Sequence, residues 1–156
     1  NQNKKLKQLA KPPSSRQNID VSNVEAKFLG LATQPKPHQP ENAYLALKYY
    51  QSEYECLSEW APDELKAFSD FSRKLNQQTW QQIFQSGGSI GNKTGLGYTK
   101  HSDKSKLPKC DIVKTISEDI DFFELRITQK ARAHGFRSMS TFFLVWLDRN
   151  HQIYPM

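Results

Sequence analysis

The chain has 156 residues, a formal net charge of +6, 37% hydrophobic residues and a mean hydropathy of −0.75. That is the length of one domain, and nine Phe, six Tyr and three Trp are enough to build a core. No apolar run approaches the roughly 18 residues of a membrane span. Two cysteines, Cys56 and Cys110, make neither a disulfide framework nor a metal motif, so a reducing cytoplasm is the expected location.

Residues 1–23 are polar and basic, with Lys4, Lys5, Lys7, Lys11 and Arg16 and no acid before Asp20. Such a stretch buries too little to repay its ordering entropy and reads as a flexible arm; with no apolar segment after the charges, it does not read as a secretory signal. Residues 24–156 read as a single α+β domain. Val24 to Ala32, with Phe28, Leu29 and Leu31, suggests a first strand, and Pro35, Pro37 and Pro40 then enforce an extended loop.

Asn42 to Leu57 fits two patterns. Tyr44, Leu45, Leu47, Tyr49 and Tyr50 suit a strand, whereas Ala43, Ala46 and Leu47 accept a helix; a strand to about Gln51 followed by a turn or short helix near Cys56 is the expectation. A helix starts at Pro62, where the missing N–H costs nothing and Asp63 and Glu64 complement the helix dipole. Leu65, Phe68, Phe71 and Leu75 form its apolar stripe. Thr79 and Gln82 predict a capping box for a second, shorter helix that buries Trp80 and Ile83 and stops at Gly87-Gly88.

Gly87 to Lys109 reads as a basic loop. Gly95-Leu96-Gly97 lacks the third glycine and the Gly-Lys-Ser/Thr of a nucleotide cradle, but Lys93, Lys100 and His101 could touch a phosphate. Phe123, Leu125 and Ile127 alternate with Glu124 and Arg126, as in a half-buried strand. Thr128-Gln129-Lys130 and Ser138-Met139 suggest turns. Phe142 to Leu147 is apolar throughout, which predicts a central strand with Phe142, Leu144 and Trp146 on one face and Phe143, Val145 and Leu147 on the other. Asp148-Arg149-Asn150 signals a turn, with a short final strand from Gln152 to Tyr154. The expected fold is an antiparallel sheet of four to six strands with two helices packed on one face.

The polar side of that sheet would carry Arg126, Arg132, His134, Arg137, His151 and Tyr154. The four histidines lack the close pairing typical of zinc sites, so neither a metal nor a cofactor is expected, and no Gly-x-Ser-x-Gly elbow marks a hydrolase. A basic chain with clustered Arg and His suits a polyanion partner. Cleavage of RNA by its own 2′-OH needs a group to take that proton, a group to protonate the leaving 5′-oxygen, and cations for the phosphorane. His134 or His151 could serve as base or acid, because imidazole as a group titrates near neutrality, Tyr154 could orient or donate, and Arg126, Arg132 and Arg137 could clamp phosphate.

The order Arg126, Arg132-Ala-His134-Gly-Phe136-Arg137, hydrophobic strand, His151-Gln-Ile-Tyr154, preceded by a helix pair, resembles the RelE/ParE group of small bacterial toxins over about residues 44–154. The chain departs from that group in some forty additional N-terminal residues and in its Gly/Lys loop. The resemblance implies a RelE-like fold and a toxin-like, metal-independent endoribonuclease. Its site would comprise His134, His151, Arg137 and Tyr154 as catalytic groups, with Arg126, Arg132, Lys100, His101 and Lys93 on RNA. The implied partners are RNA or the ribosome and an antitoxin protein, with no membrane. A non-catalytic RNA-binding module and an interaction domain for an acidic protein are the alternative readings of the same residues.

Overall fold

A computed structural model describes residues 41–88, 95–116 and 118–155. The basic arm, the Val24–Ala32 strand, the proline-rich loop and Lys93 lie outside these residues. Among the described residues, no helix is long and apolar enough to cross a membrane.

The class is α+β. In chain order come β1 (Tyr44–Ala46), α1 (Pro62–Asn76), α2 (Trp80–Gln85), β2 (Thr99–Lys100), α3 (Asp111–Thr115), β3 (Phe122–Arg126), β4 (Arg132–Ser138) and β5 (Thr141–Asp148). The five strands form one sheet in the order β1-β5-β4-β3-β2. Its β2-β3-β4-β5 portion is an antiparallel meander, but β1 runs parallel to β5, so the sheet is mixed rather than antiparallel as the sequence suggests. Apolar alternation in Tyr44–Ala46 marks a strand without naming its partner, and the partner lies almost a hundred positions away in sequence.

Helix α1 begins as predicted at Pro62, and the Glu64 carboxylate reaches back to accept the Ala61 N–H at 3.1 Å. Of its stripe, Phe71 and Leu75 are buried and Phe68 packs partly, while Leu65 stays exposed, so only the C-terminal part of α1 meets the sheet. The capping box of α2 forms: Thr79 Oγ1 accepts from Gln82 N at 3.3 Å and Gln82 Oε1 from Thr79 N at 2.9 Å. Trp80 and Ile83 then join Phe71, Leu75, Phe123, Leu125, Phe142, Leu144 and Leu147 in the main core, on one face of the sheet.

The other face is divided along the strands. At one end Phe122, Phe136, Val145, Trp146, Leu107 and Ile153 form a second apolar cluster, against which Val113 and Ile116, in and just after α3, also pack. At the other end the strand positions of the same parity are Glu124, Arg126, Arg132, His134 and Asp148.

A β-bulge makes this arrangement. His134 pairs with Trp146 but Gly135 pairs with Leu144, so Val145 is the extra residue on β5. The bulge reverses the parity expected beyond it. Trp146 joins Phe143 and Val145 in the second cluster, and Leu147 joins Phe142 and Leu144 in the main core. Strict alternation predicts the opposite assignment for Trp146 and Leu147.

Among the described residues, no strand follows β5. The N–H groups of Gln152 and Ile153 both donate to the Asp148 carboxylate, at 2.8 Å each, and so are not available for a ladder. The segment instead folds back as an irregular turn with His151 in the left-handed region at φ 55° and Ile153 buried.

Candidate functional site

The polar half of the second face converges on Glu124. Strand pairing sets Glu124 of β3 directly beside His134 of β4 and Thr99 of β2. His101 follows β2, with its N–H bonded to the Phe122 carbonyl at 2.9 Å, which brings its ring over the same face. The turn after β5 returns His151. Glu124, His134 and His101 are almost completely shielded, at 2, 0 and 3% exposure, where polar groups must find partners.

Most of their atoms do. Glu124 Oε1 is met by His151 Nε2 at 3.1 Å and Arg132 Nε at 3.5 Å. His134 Nε2 lies 3.2 Å from Asp148 Oδ2. Because an ionised carboxylate only accepts, His134 donates from Nε2 to Asp148 and directs Nδ1 inward, where His101 Nε2 sits 2.9 Å away. Glu124 Oε2 lies 3.9 Å from that same Nδ1 and has no hydrogen-bond partner among the described residues. The Tyr154 ring packs at 4.6 Å from the His101 ring, and its hydroxyl bonds Ser102 Oγ at 2.6 Å.

Electrostatics follow from burial. Burial, with repulsion from His134 and His151, pushes the His101 imidazole down to about 3, so it is neutral at physiological pH. Burial pushes Asp148 up, but hydrogen bonds from His134, Gln152 and Ile153 outweigh it and hold the carboxyl below its usual range. Arg132 is pushed down by burial, against the pull of Glu124. Its Nη1 donates to the carbonyls of Thr128, Gln129 and Ala131 at 2.9–3.1 Å, which closes the β3–β4 hairpin.

No family model, curated protein or solved structure matches this chain.

Of the residues singled out in the sequence, Arg132, His134, His101, His151 and Tyr154 come together, and Arg126 occupies the adjoining same-face position on β3. The Arg126 guanidinium lies against Gly97, whose φ of +57° and absent side chain make room for it. It has no ion-pair partner among the described residues. Two residues are elsewhere. Arg137 has the opposite strand parity from Arg132 and His134; it sits over the rings of Trp80 and Phe84 at 5.0 and 5.5 Å and donates to the Met139 carbonyl at 2.7 Å. Lys100 pairs with Phe123 rather than Glu124 in register and forms an exposed ion pair with Asp121 at 2.9 Å.

Glu124 and Asp148 are the site residues that sequence reasoning passes over. Glu124 looks like the solvent side of an alternating strand, and Asp148 like a turn former. Asp148 does cap the turn, with the same carboxylate that orients His134. Chemically, the arrangement offers one partly accessible imidazole backed by a carboxylate, one guanidinium free of ion pairs, and a buried convergence of two ring nitrogens and a carboxylate oxygen.

Proposed function

We propose that the chain is a RelE-like, toxin-type endoribonuclease that acts on RNA, bound at the ribosome or free, through the rim of the polar half-face. The observation that carries this reading is the His151–Glu124 pair beside Arg126. His151 Nε2 is fixed at 3.1 Å from a buried carboxylate while its side chain stays 16% exposed, which suits an imidazole that exchanges a proton with substrate. In this reading the RNA 2′-oxygen attacks the adjacent phosphorus and the 5′-oxygen leaves. His151 takes the 2′-OH proton and, as the imidazolium, returns it to the leaving 5′-oxygen, Arg126 holds phosphate oxygens, and Tyr154, carried on Ser102 and next to Lys106 at 5.0 Å, orients the strand. His134 is completely enclosed; it acts as a positioning residue through Asp148 and Glu124.

The test is incubation of the full chain with RNA, with and without ribosomes, in EDTA and in its absence. Cleavage in EDTA that leaves 2′,3′-cyclic phosphate ends, and that is lost in His151→Ala, is expected. If no scission occurs in any buffer, the enzyme reading fails. Growth arrest on expression, relieved by a cognate antitoxin, is the expected cellular counterpart.

One observation favours a second reading. Arg132 and His134 are engaged by Glu124 and Asp148 within the protein, so fewer groups are available for chemistry than the sequence suggests. A non-catalytic RNA-binding module would use the same rim and would show salt-sensitive affinity without scission.

A further inference from the structure

Three donor atoms converge beneath that rim without a common partner. His101 Nε2 and His134 Nδ1 are 2.9 Å apart, Glu124 Oε2 is 3.9 Å from His134 Nδ1, and all three lie within 4.8 Å of one another. Two ligands on one zinc-class ion, each bonded at 2.0–2.2 Å, stand at most about 4.2 Å apart. The two measured separations are inside that span. A nitrogen pair 2.9 Å apart subtends close to a right angle at such an ion, roughly 90° for bonds near 2.05 Å, the cis relation of two ligands in a two-His, one-carboxylate face, whereas the 3.9 Å separation of Glu124 Oε2 from His134 Nδ1 subtends roughly 140°, so the carboxylate would close on the ion to complete that face.

The outer atoms of His134 and Glu124 are already arranged as metal ligands require. His134 gives its other nitrogen to Asp148 at 3.2 Å, the carboxylate–histidine support that fixes a ligating tautomer. Glu124 gives its other oxygen to His151 and Arg132. His134 and Glu124 are thus held from outside with the remaining donor directed inward, whereas His101 Nδ1 is buried without a partner among the described residues. A hydrogen bond from His101 to His134 accounts for the two nitrogens but not for Glu124 Oε2. That oxygen is buried without a partner among the described residues, and leaving it so is costly.

We propose that His101 Nε2, His134 Nδ1 and Glu124 Oε2 form the protein face of a site for one divalent transition-metal ion of the zinc, cobalt and iron(II) class. The ion would join β3 and β4 to the segment following β2, the two-residue edge strand that pairs with β3 through only Thr99 and Lys100. It would also hold Glu124, and with it His151. The inference goes beyond the RNA reading and stands whether or not RNA is cut.

The experiment uses the full chain, stripped with chelator, exchanged into chelator-free buffer and titrated with Co²⁺ and with Zn²⁺. Bound metal is measured by elemental analysis after dialysis, and Co²⁺ also by its absorption spectrum. About one ion per chain is expected, with imidazole and carboxylate but no thiolate signature, and with a rise in Tm at saturating ion. Binding should fall at least tenfold in His101→Ala and in Glu124→Gln, each checked for its fold by circular dichroism. If a variant does not fold, the wild-type Co²⁺ spectrum decides. Failure of both ions to bind, binding unchanged in both folded variants, or a thiolate spectrum from Cys56 or Cys110 would overturn the proposal.

Discussion

Gly135 lies against the Phe143 carbonyl so closely that a Cβ on it would overlap the oxygen. This contact sits at the bulge, where β5 bends around Val145 and its backbone closes on β4. Neither backbone can move without undoing the pairing that sends Trp146 and Asp148 to the second face of the sheet. Gly135→Ala is therefore expected to destabilise the fold by about 3 kcal/mol or more, at the upper end of overpacking effects. Urea unfolding would measure it, and a loss below about 1 kcal/mol would show that the bulge is not under this constraint.

The β4–β5 hairpin turns through Met139 and Ser140, with Met139 at φ 54° and 86% exposed. A methionine gains nothing from burial there and bears the steric cost of the left-handed region. Met139→Gly should stabilise the chain by about 1 kcal/mol, seen as a higher urea midpoint with an unchanged slope.

Much of this architecture is legible in the residues. Pro62 and the Thr79–Gln82 box mark both main helices because caps are local chemistry, and Phe123/Leu125 alternation marks β3 for the same reason. The partner of β1 and the parity of Trp146 are not local. Each depends on a backbone approach, at the edge of β5 and at Gly135, that no window of sequence contains. The cluster follows the same rule. His101 and His134 look unrelated at a spacing of 33 residues, yet the β2-β3-β4 register alone brings them to 2.9 Å. Arg137 is the converse: its odd offset from Arg132 within one strand already sets it on the opposite face, where it pairs with Phe142 of the main core.

Arg149 ties the end of β5 to the start of α1. Its side chain bonds both oxygens of Glu64, at 2.7 and 2.8 Å, and its N–H donates to Glu55 at 2.9 Å. The Arg149 guanidinium, with the Ala61 N–H, holds the Glu64 carboxyl below its usual range. A carboxyl depressed in the fold stabilises above its unfolded value, near 4.3, and that contribution is lost as pH falls through the folded value. Arg149→Ala should lower Tm by a few degrees at neutral pH, and the gap to wild type should close below about pH 4. A gap independent of pH would mean that packing of the arginine stem, not the ion pair, is responsible.

Arg137 is the internal control for the RNA reading. It lies on the helix-covered face, over Trp80 and Phe84, on the opposite side of β4 from Glu124. Arg137→Ala should cost about 0.5–1 kcal/mol of stability through the lost cation–π contacts. RNA affinity and cleavage should stay within about twofold of wild type. A large loss of RNA affinity with the fold intact would move the RNA surface to the other face of the sheet.

Arg126 should behave in the opposite way. Its guanidinium has no ion-pair partner among the described residues, rests on Gly97 and shares a face with Glu124 and His151. Its removal therefore breaks no internal bridge and relieves the repulsion it exerts on Arg132, so thermal stability should hold or rise slightly. Each phosphate contact to single-stranded RNA contributes about 0.7 to the slope of log affinity against log salt. Arg126→Ala should weaken RNA binding and reduce that slope by about 0.7, whereas a loss of affinity with an unchanged slope would show that Arg126 shapes the rim without touching phosphate. Measuring both variants across a salt series, by fluorescence anisotropy on one labelled RNA, separates the two faces in a single experiment.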